Sequence, residues 1–185
     1  MGWNMSPTRM VFFEDCVVPK KNLIGQKGEG FKFAMKALDG GRINIASTSL
    51  GGAALAYDQA LNYLQDRKQF GKALTDFQHL QFKLSEMAVK LTTSRLLTRS
   101  AARLIDDGND LKSIYSAMAK YHTTEKCMEV ADDALQLHGG YGYLKDYDVE
   151  RIFRDLRVNR ILEGTNEIMK MIISRSIIKS NKEGK

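Results

Sequence analysis

Apolar residues recur at alternating three- and four-residue steps over most of this chain. Ile43, Ala46, Leu50, Ala53, Tyr57, Ala60 and Leu64 form one series, and Leu80, Leu84, Met87, Leu91, Ser94, Thr98, Ala101 and Ile105 a second. A third is weaker, through Leu111, Ile114, Met118, Tyr121 and Met128 to Leu135; Ile168, Ile172 and Ser176 mark a last, shorter one. Such steps place apolar side chains on one face of a helix. Their near-heptad spacing suits long helices packed at shallow angles. The pattern predicts an all-α fold, a four-helix up-down bundle.

The breaks between series fit that reading. Gly71 is expected to end the first helix, and Asp76 or Thr75 to cap the second. Asp107-Gly108-Asn109-Asp110 reads as a turn, with Asp110 as the next N-cap. Gly139, Gly140 and Gly142 close the third helix. Asp146 to about Leu156 reads as a short connecting helix, and Thr165 or Asn166 as the cap of the last. No proline follows Pro19, although average usage of about 5% would place several there; proline breaks helix interiors.

The front of the chain has a different character. Met10-Val11-Phe12-Phe13 and Val17-Val18 are β-type, and Pro19 closes the run. One or two strands alone are not stable, so they read as the last strands of a sheet whose other strands are absent. Residues 1–28 are thus expected to be a short β remnant and 29–185 the helical domain.

Bulk properties narrow the class. A chain of 185 residues suggests one domain with a small appendage. The net charge of +6 is spread along the chain, which reads as a solvated surface and not a nucleic-acid stripe. No apolar run is long enough for a membrane, and no secretory or transit peptide is visible. Cys16 and Cys127 are read as two reduced thiols in preference to a long-range disulfide. His79, His122 and His138 have no metal-ligand spacing, so no metal is expected.

Three places break the local rules. Gly40 and Gly41 lie inside the expected first helix, each costing about 1 kcal/mol against alanine. Either the helix breaks or crosses a neighbour closely there, or something large lies against its backbone; Arg42 follows, placed to meet an anion. Gln136-Leu137-His138-Gly139-Gly140-Tyr141-Gly142-Tyr143 is a glycine-rich helix exit. It is either a C-cap with packed tyrosines or a backbone open to phosphates. Glu163 stands after two aliphatic residues and before Gly164. It is either a surface carboxylate or a partly desolvated base with room for substrate beside it.

These places coincide with a resemblance that covers nearly the whole chain. Phe12-Phe13-Glu14-Asp15-Cys16-Val17-Val18-Pro19 with Leu23-Ile24-Gly25 and Gly28-Glu29-Gly30-Phe31 resembles the end of the middle β-domain of acyl-CoA dehydrogenases. Arg67-Lys68-Gln69-Phe70-Gly71 followed by Gln78, then Gln136-Leu137-His138-Gly139-Gly140-Tyr141-Gly142, then Glu163-Gly164-Thr165-Asn166-Glu167, resemble that family's C-terminal domain. The resemblance implies FAD as cofactor and a homotetramer built around these helices. Arg67, Phe77 and Gln78 would touch the FAD of a neighbouring subunit, while Gln136, Leu137, His138, Gly139 and Gly140 would line its pyrophosphate or adenosine portion. Thr165, Asn166 and Glu167 would also contact FAD. Asp39, Gly40, Gly41 and Arg42 would lie along the acyl-CoA site, with Arg175 reaching the CoA.

The implied reaction is α,β-dehydrogenation of an acyl-CoA, with Glu163 taking the α-proton and electrons passing to electron-transfer flavoprotein. Members specific for isovaleryl-CoA carry the base at the position of Gly41, which argues against that type. The residues around Gly40 and Tyr141 look most like the members acting on isobutyryl-CoA in valine breakdown, with short/branched-chain and butyryl types as alternatives. The resemblance implies the mitochondrial matrix for a eukaryotic source and the cytoplasm for a bacterial one. Competing readings are a catalytically inactive helical oligomerisation fragment and an acyl-CoA oxidase. This portion alone is expected to be inactive.

Overall fold

The computed structural model describes residues 1–184. Five helices carry the fold: α1 Gly30–Asp66, α2 Gln78–Asp106, α3 Lys112–His138, α4 Val149–Leu156 and α5 Asn166–Lys182. A small antiparallel hairpin, β1 Lys68–Gln69 and β2 Lys72–Ala73, joins α1 to α2. The expected four-helix arrangement forms from α1, α2, α3 and α5, with α4 packed on α1 and α3.

Side-chain pairs fix the directions. Ser113 at the start of α3 meets Asp39, and His138 at its end stacks on Tyr63, so α1 and α3 run parallel. Lys90 meets Asp133 and Thr98 meets Thr123, so α2 runs antiparallel to α3.

The helix α3 is the centre of the bundle, packed by α1, α2, α4 and α5. It buries Ala117, Thr123, Thr124, Cys127, Val130, Ala131 and Ala134 on several sides at once. A helix covered on several sides has no single apolar stripe, which explains the weak third series. Tyr121 and Met118 of that series are only partly buried. The core is rich in small residues: Ala53, Ala56 and Ala60 of α1 lie with Ala131 and Ala134 of α3, filled out by Met87, Leu91, Ile152 and Leu156. Small side chains let the backbones approach closely, so packing depends on contact area and few large plugs. Gly52 shows how closely, since a Cβ there would lie 2.9 Å from Leu156.

The expected strands do not form. Among residues 1–28 the only regular element is a single helical turn, Lys20–Asn22. Met10, Val11, Phe12, Phe13 and Val17 are each at least 70% exposed. Their ladder groups have no second strand to bond, and the apolar residues have no sheet to cover. The first residues are tied down elsewhere: the Trp3 backbone N–H donates to Asp155 at 2.7 Å, and Arg154 donates to the Met1 carbonyl at 2.7 Å.

Several helix ends differ from expectation. α1 stops at Asp66, ahead of Gly71. Phe70 and Gly71 instead turn the hairpin, with φ of 53° and 81°, the double left-handed pair that a tight hairpin requires. Asp76 does not cap α2; it accepts from the Ala73 N–H at 3.2 Å. Asn109, not Asp110, accepts from the Leu111 N–H at the start of α3, at 2.9 Å. Thr165 does cap α5, accepting from the Ile168 N–H.

Candidate active site

The chain reaches Glu163 through α4 and a short helical turn, Arg157–Arg160. Two residues then take left-handed backbone, Glu163 at φ 54° and Gly164 at φ 88°. Glycine adopts this freely. For glutamate it costs about 1–2 kcal/mol, and such strain persists only where surroundings fix it. The result is a carboxylate turned back onto α1. A Cβ built on Gly41 would fall on Glu163 Oε2, with Cδ 2.7 Å away. A Cβ on Gly40 would meet nothing within 4 Å. α1 is continuous through both glycines, so Gly41 is explained by close approach and not by a helix break.

Polar residues support this loop from below. Lys120 of α3 has no exposed surface, and its ammonium donates to the Gly164 carbonyl and to Asn166 Oδ1, both at 2.8 Å. Burial pushes Lys120 down to about 8, against the opposing pull of Glu125 and Glu167. Asn166 also donates to Glu125 at 2.6 Å and to Thr124 at 3.0 Å. Glu125 pairs in turn with Arg160. The Glu167 carboxylate is held below its ordinary range, first by its own backbone N–H. On α1, Arg42 is 8% exposed and paired with Asp39 at 2.8 Å, while Ser113 donates to Asp39 at 2.6 Å. The Arg42 Nε, buried, has no hydrogen-bond partner.

A second cluster lies at the other end of α1. His138 closes α3, its Nδ1 2.8 Å from the Ala134 carbonyl and its ring stacked 4.5 Å from Tyr63. Tyr147 meets both rings edge-on. The Arg67 guanidinium lies over Tyr141, 5.6 Å from the ring centre. Burial raises the Tyr63 hydroxyl, and Arg67 opposes the shift. Gly139, at φ 60°, and Gly140 stand open, with nothing within 4 Å of an added Cβ. A depression of about 390 Å³ is lined by Tyr63, Arg67, His138, Gly139, Gly140 and Tyr141, with no carboxylate among its walls. The larger cavity beside it, about 630 Å³, adds Asp66, Asp146 and Asp148. An anion is therefore favoured on the Gly139–Gly140 side. Phe77, at the N-cap of α2, packs edge-on against Phe70, with Lys72 over its face and Gln78 exposed beside it.

The structure thus brings together Gly41 and Glu163, with Asp39 and Arg42 nearby, and joins Asn166 to their support. It separately brings together Arg67, His138 and the two glycines. Gly41 and Tyr63 lie on one continuous helix, roughly 33 Å apart at about 1.5 Å per residue. Arg175 joins neither group; it lines a shallow surface hollow with Ile178, Lys179 and Lys182. Sequence reasoning missed Lys120, Glu125, Tyr63 and Tyr147. The available signal for Lys120 was a lone lysine between Ala117, Ala119, Thr123 and Thr124, a face otherwise of small residues. Among the described residues no group of His, Cys, Asp or Glu is disposed to hold a metal, and no helix is long and apolar enough to cross a membrane.

Comparison with known proteins shows the family. The profile of the acyl-CoA dehydrogenase C-terminal domain matches residues 28–178. The mitochondrial isobutyryl-CoA dehydrogenase of Dictyostelium discoideum is 52% identical over 181 residues, 98% of this chain and 44% of that protein. The butyryl-CoA dehydrogenase structure from Megasphaera elsdenii is 40% identical with a TM-score of 0.87, covering 90% of this chain and 43% of that one. A structure described under the electron transferring flavoprotein of Acidaminococcus fermentans is 47% identical, also at 0.87, covering 89% and 43%. The chain therefore spans under half the length of these relatives. With a matching profile over most of its residues and close relatives in sequence and structure, the chain belongs to the acyl-CoA dehydrogenase family, whose C-terminal domain it carries.

Proposed function

We propose that this chain supplies the proton-abstracting part of a site that dehydrogenates a short branched acyl-CoA, isobutyryl-CoA by preference, with Glu163 as the base. The observation that carries the reading is the Glu163 carboxylate lodged over the bare backbone of Gly41, held there by strained backbone and a buried lysine. In this reading Asp39 to Arg42 form the wall along which the acyl thioester would lie, and Arg175, in its own surface hollow on α5, would meet only the far end of the CoA.

In the step proposed, the α C–H bond breaks; its proton goes to a Glu163 oxygen and its electron pair enters the new C=C bond. The β-hydrogen leaves with its pair. Bound FAD supplies the acceptor for that hydride. The Glu163 backbone N–H donates to the thioester carbonyl, which acidifies the α-carbon. FAD fits the residues present. The carboxylate-free hollow offers Arg67, aromatic faces and open glycine backbone, the donor set for a pyrophosphate beside an aromatic group. In this reading Gln136, Phe77 and Gln78 would extend that surface and Thr165 and Glu167 would meet the cofactor beside Glu163, whereas Leu137 packs on the core and the buried Asn166 side chain is taken up by Lys120, Thr124 and Glu125. The roughly 33 Å between the clusters favours their serving cofactors bound by different subunits, as in a homotetramer. Electron-transfer flavoprotein is the proposed electron acceptor. A mitochondrial matrix location for a eukaryotic source, or a cytoplasmic one for a bacterial source, accompanies the reading.

The test is turnover of isobutyryl-CoA with a dye acceptor by the complete gene product. Glu163→Gln should lower it by about 10²–10⁴-fold, the usual worth of a general base, with flavin still bound. Activity that survives the change would remove Glu163 from the role. Butyryl-CoA turned over faster than isobutyryl-CoA would move the substrate assignment to the straight-chain type. This chain alone should show no turnover, the outcome that an oligomerisation fragment also predicts.

A further inference from the structure

Among the described residues Lys120 is the largest side chain wholly removed from solvent, and nothing in the proton transfer uses it. A buried ammonium is costly unless it is bonded. Lys120 has two bonds, to the Gly164 carbonyl and to Asn166 Oδ1, both at 2.8 Å. The acceptors lie one and three residues after Glu163, where the backbone turns left-handed at Glu163 and Gly164. Asn166 is itself fixed by Thr124 and Glu125. Lys120 is thus the fastener between the central helix α3 and the loop that carries the carboxylate.

We propose that Lys120 is a positioning residue, holding the Gly164 carbonyl and Asn166 so that the strained Glu163 loop keeps its carboxylate over Gly41. The loop-holding role stands on these contacts; its catalytic meaning rests on Glu163 being the base. The charged groups facing Lys120 are Arg42 from α1, Glu125 from α3 itself, and Glu163 and Glu167 from the loop and the start of α5. Arg42 is paired with Asp39 and Glu125 with Arg160. Burial brings Lys120 down to about 8, so the fastener loses its charge within an accessible pH range, and its two bonds lose their charge-assisted strength.

The experiment is hydrogen exchange by mass spectrometry on the complete gene product, with kinetics alongside. In Lys120→Met, a variant of matching length, exchange in peptides spanning residues 161–169 should rise about tenfold or more, the effect of one or two lost hydrogen bonds. Peptides from α1 and α2 should be unchanged. The same variant should lose kcat about tenfold or more while KM stays within about threefold, as for a displaced catalytic group. Lys120→Arg should recover part of the loss. Unchanged exchange in a folded Lys120→Met, or a loosening spread equally over α1 and α2, would overturn the proposal. Should Lys120→Met not fold, Lys120→Gln takes its place, and unchanged exchange in residues 161–169 of that variant refutes the proposal. If Glu163→Gln proves active while loop exchange responds as stated, the base assignment has failed and the loop-holding role has not.

Discussion

The carboxylate of Glu163 occupies the place that a side chain on Gly41 would need. Gly40, one residue earlier on the same helix, faces open space. The two glycines therefore separate helix propensity from site geometry. Gly40→Ala should raise the unfolding free energy by up to about 1 kcal/mol. Gly41→Ala gains the same propensity but pushes the carboxylate away. Its unfolding midpoint should stay near wild type or rise, while isobutyryl-CoA turnover falls about tenfold or more, since small misplacements at a reacting centre are costly. Thermal unfolding and turnover, measured on both variants, check the pair. Equal activity in the two would show that Gly41 is not a contact of the base.

Lys120 also gives the stability of the protein a pH signature. Its folded value, about 8, lies below the ordinary 10.5. Between those values the unfolded chain holds more protons than the folded one, so this group makes stability rise with pH, by at most about 1.4 kcal/mol per unit. Below about pH 8 both states are protonated and the full cost of burying the charge applies. Denaturant titrations at pH 7.5 and 9.5 should therefore show wild type gaining on Lys120→Met across the interval. A constant difference would mean that the buried amine does not titrate there.

The two cysteines should react very differently. Cys16 is exposed, whereas Cys127 sits in the core and burial pushes its thiol up to about 12. Thiolate is the reactive form. At pH 8 an aromatic disulfide reagent should titrate one thiol promptly and the second only on unfolding. Two fast thiols in the native protein would contradict the packing of α3.

Gly142 and Gly140 form a second informative pair. A Cβ on Gly142 would lie 2.5 Å from the Leu135 carbonyl oxygen and 2.9 Å from His138 Cβ, but one on Gly140 meets nothing within 4 Å. Gly142→Ala should cost about 1–3 kcal/mol, as overpacking does, and should disturb the His138–Tyr63 stack. Gly140→Ala should leave stability within about 0.5 kcal/mol. Chemical denaturation and the near-ultraviolet signal of the tyrosines distinguish the two.

Much of this was readable from residue order because α1 and α2 are amphipathic in the ordinary way. Each covers the core with one face, so Ala46, Ala53, Ala60, Met87 and Leu91 stood out. α3 was harder, being wrapped on several sides and lined with small polar residues. Glu163 could be picked out as the proposed base, yet its contact with Gly41 depends on two successive left-handed residues that no periodicity reports. Lys120 was missed because lysine is normally a surface residue; only the fold shows that Gly164 and Asn166 come to meet it. The front of the chain is a different case. Met10–Phe13 has the composition of a strand, but a strand is defined by a partner, which residues 1–184 do not provide.

The distance along α1 between Gly41 and Tyr63 bears on cofactor binding as mass action. If the cluster around Arg67 and His138 grips a flavin seated mainly in a neighbouring copy, the two grips belong to molecules that can part. Cofactor affinity then depends on protein concentration, because every flavin released by dilution follows the separation of two chains. Loss of colour on dilution would steepen with falling protein and be reversed by concentrating the protein as well as by adding FAD. A site held entirely within one chain would respond to added FAD alone.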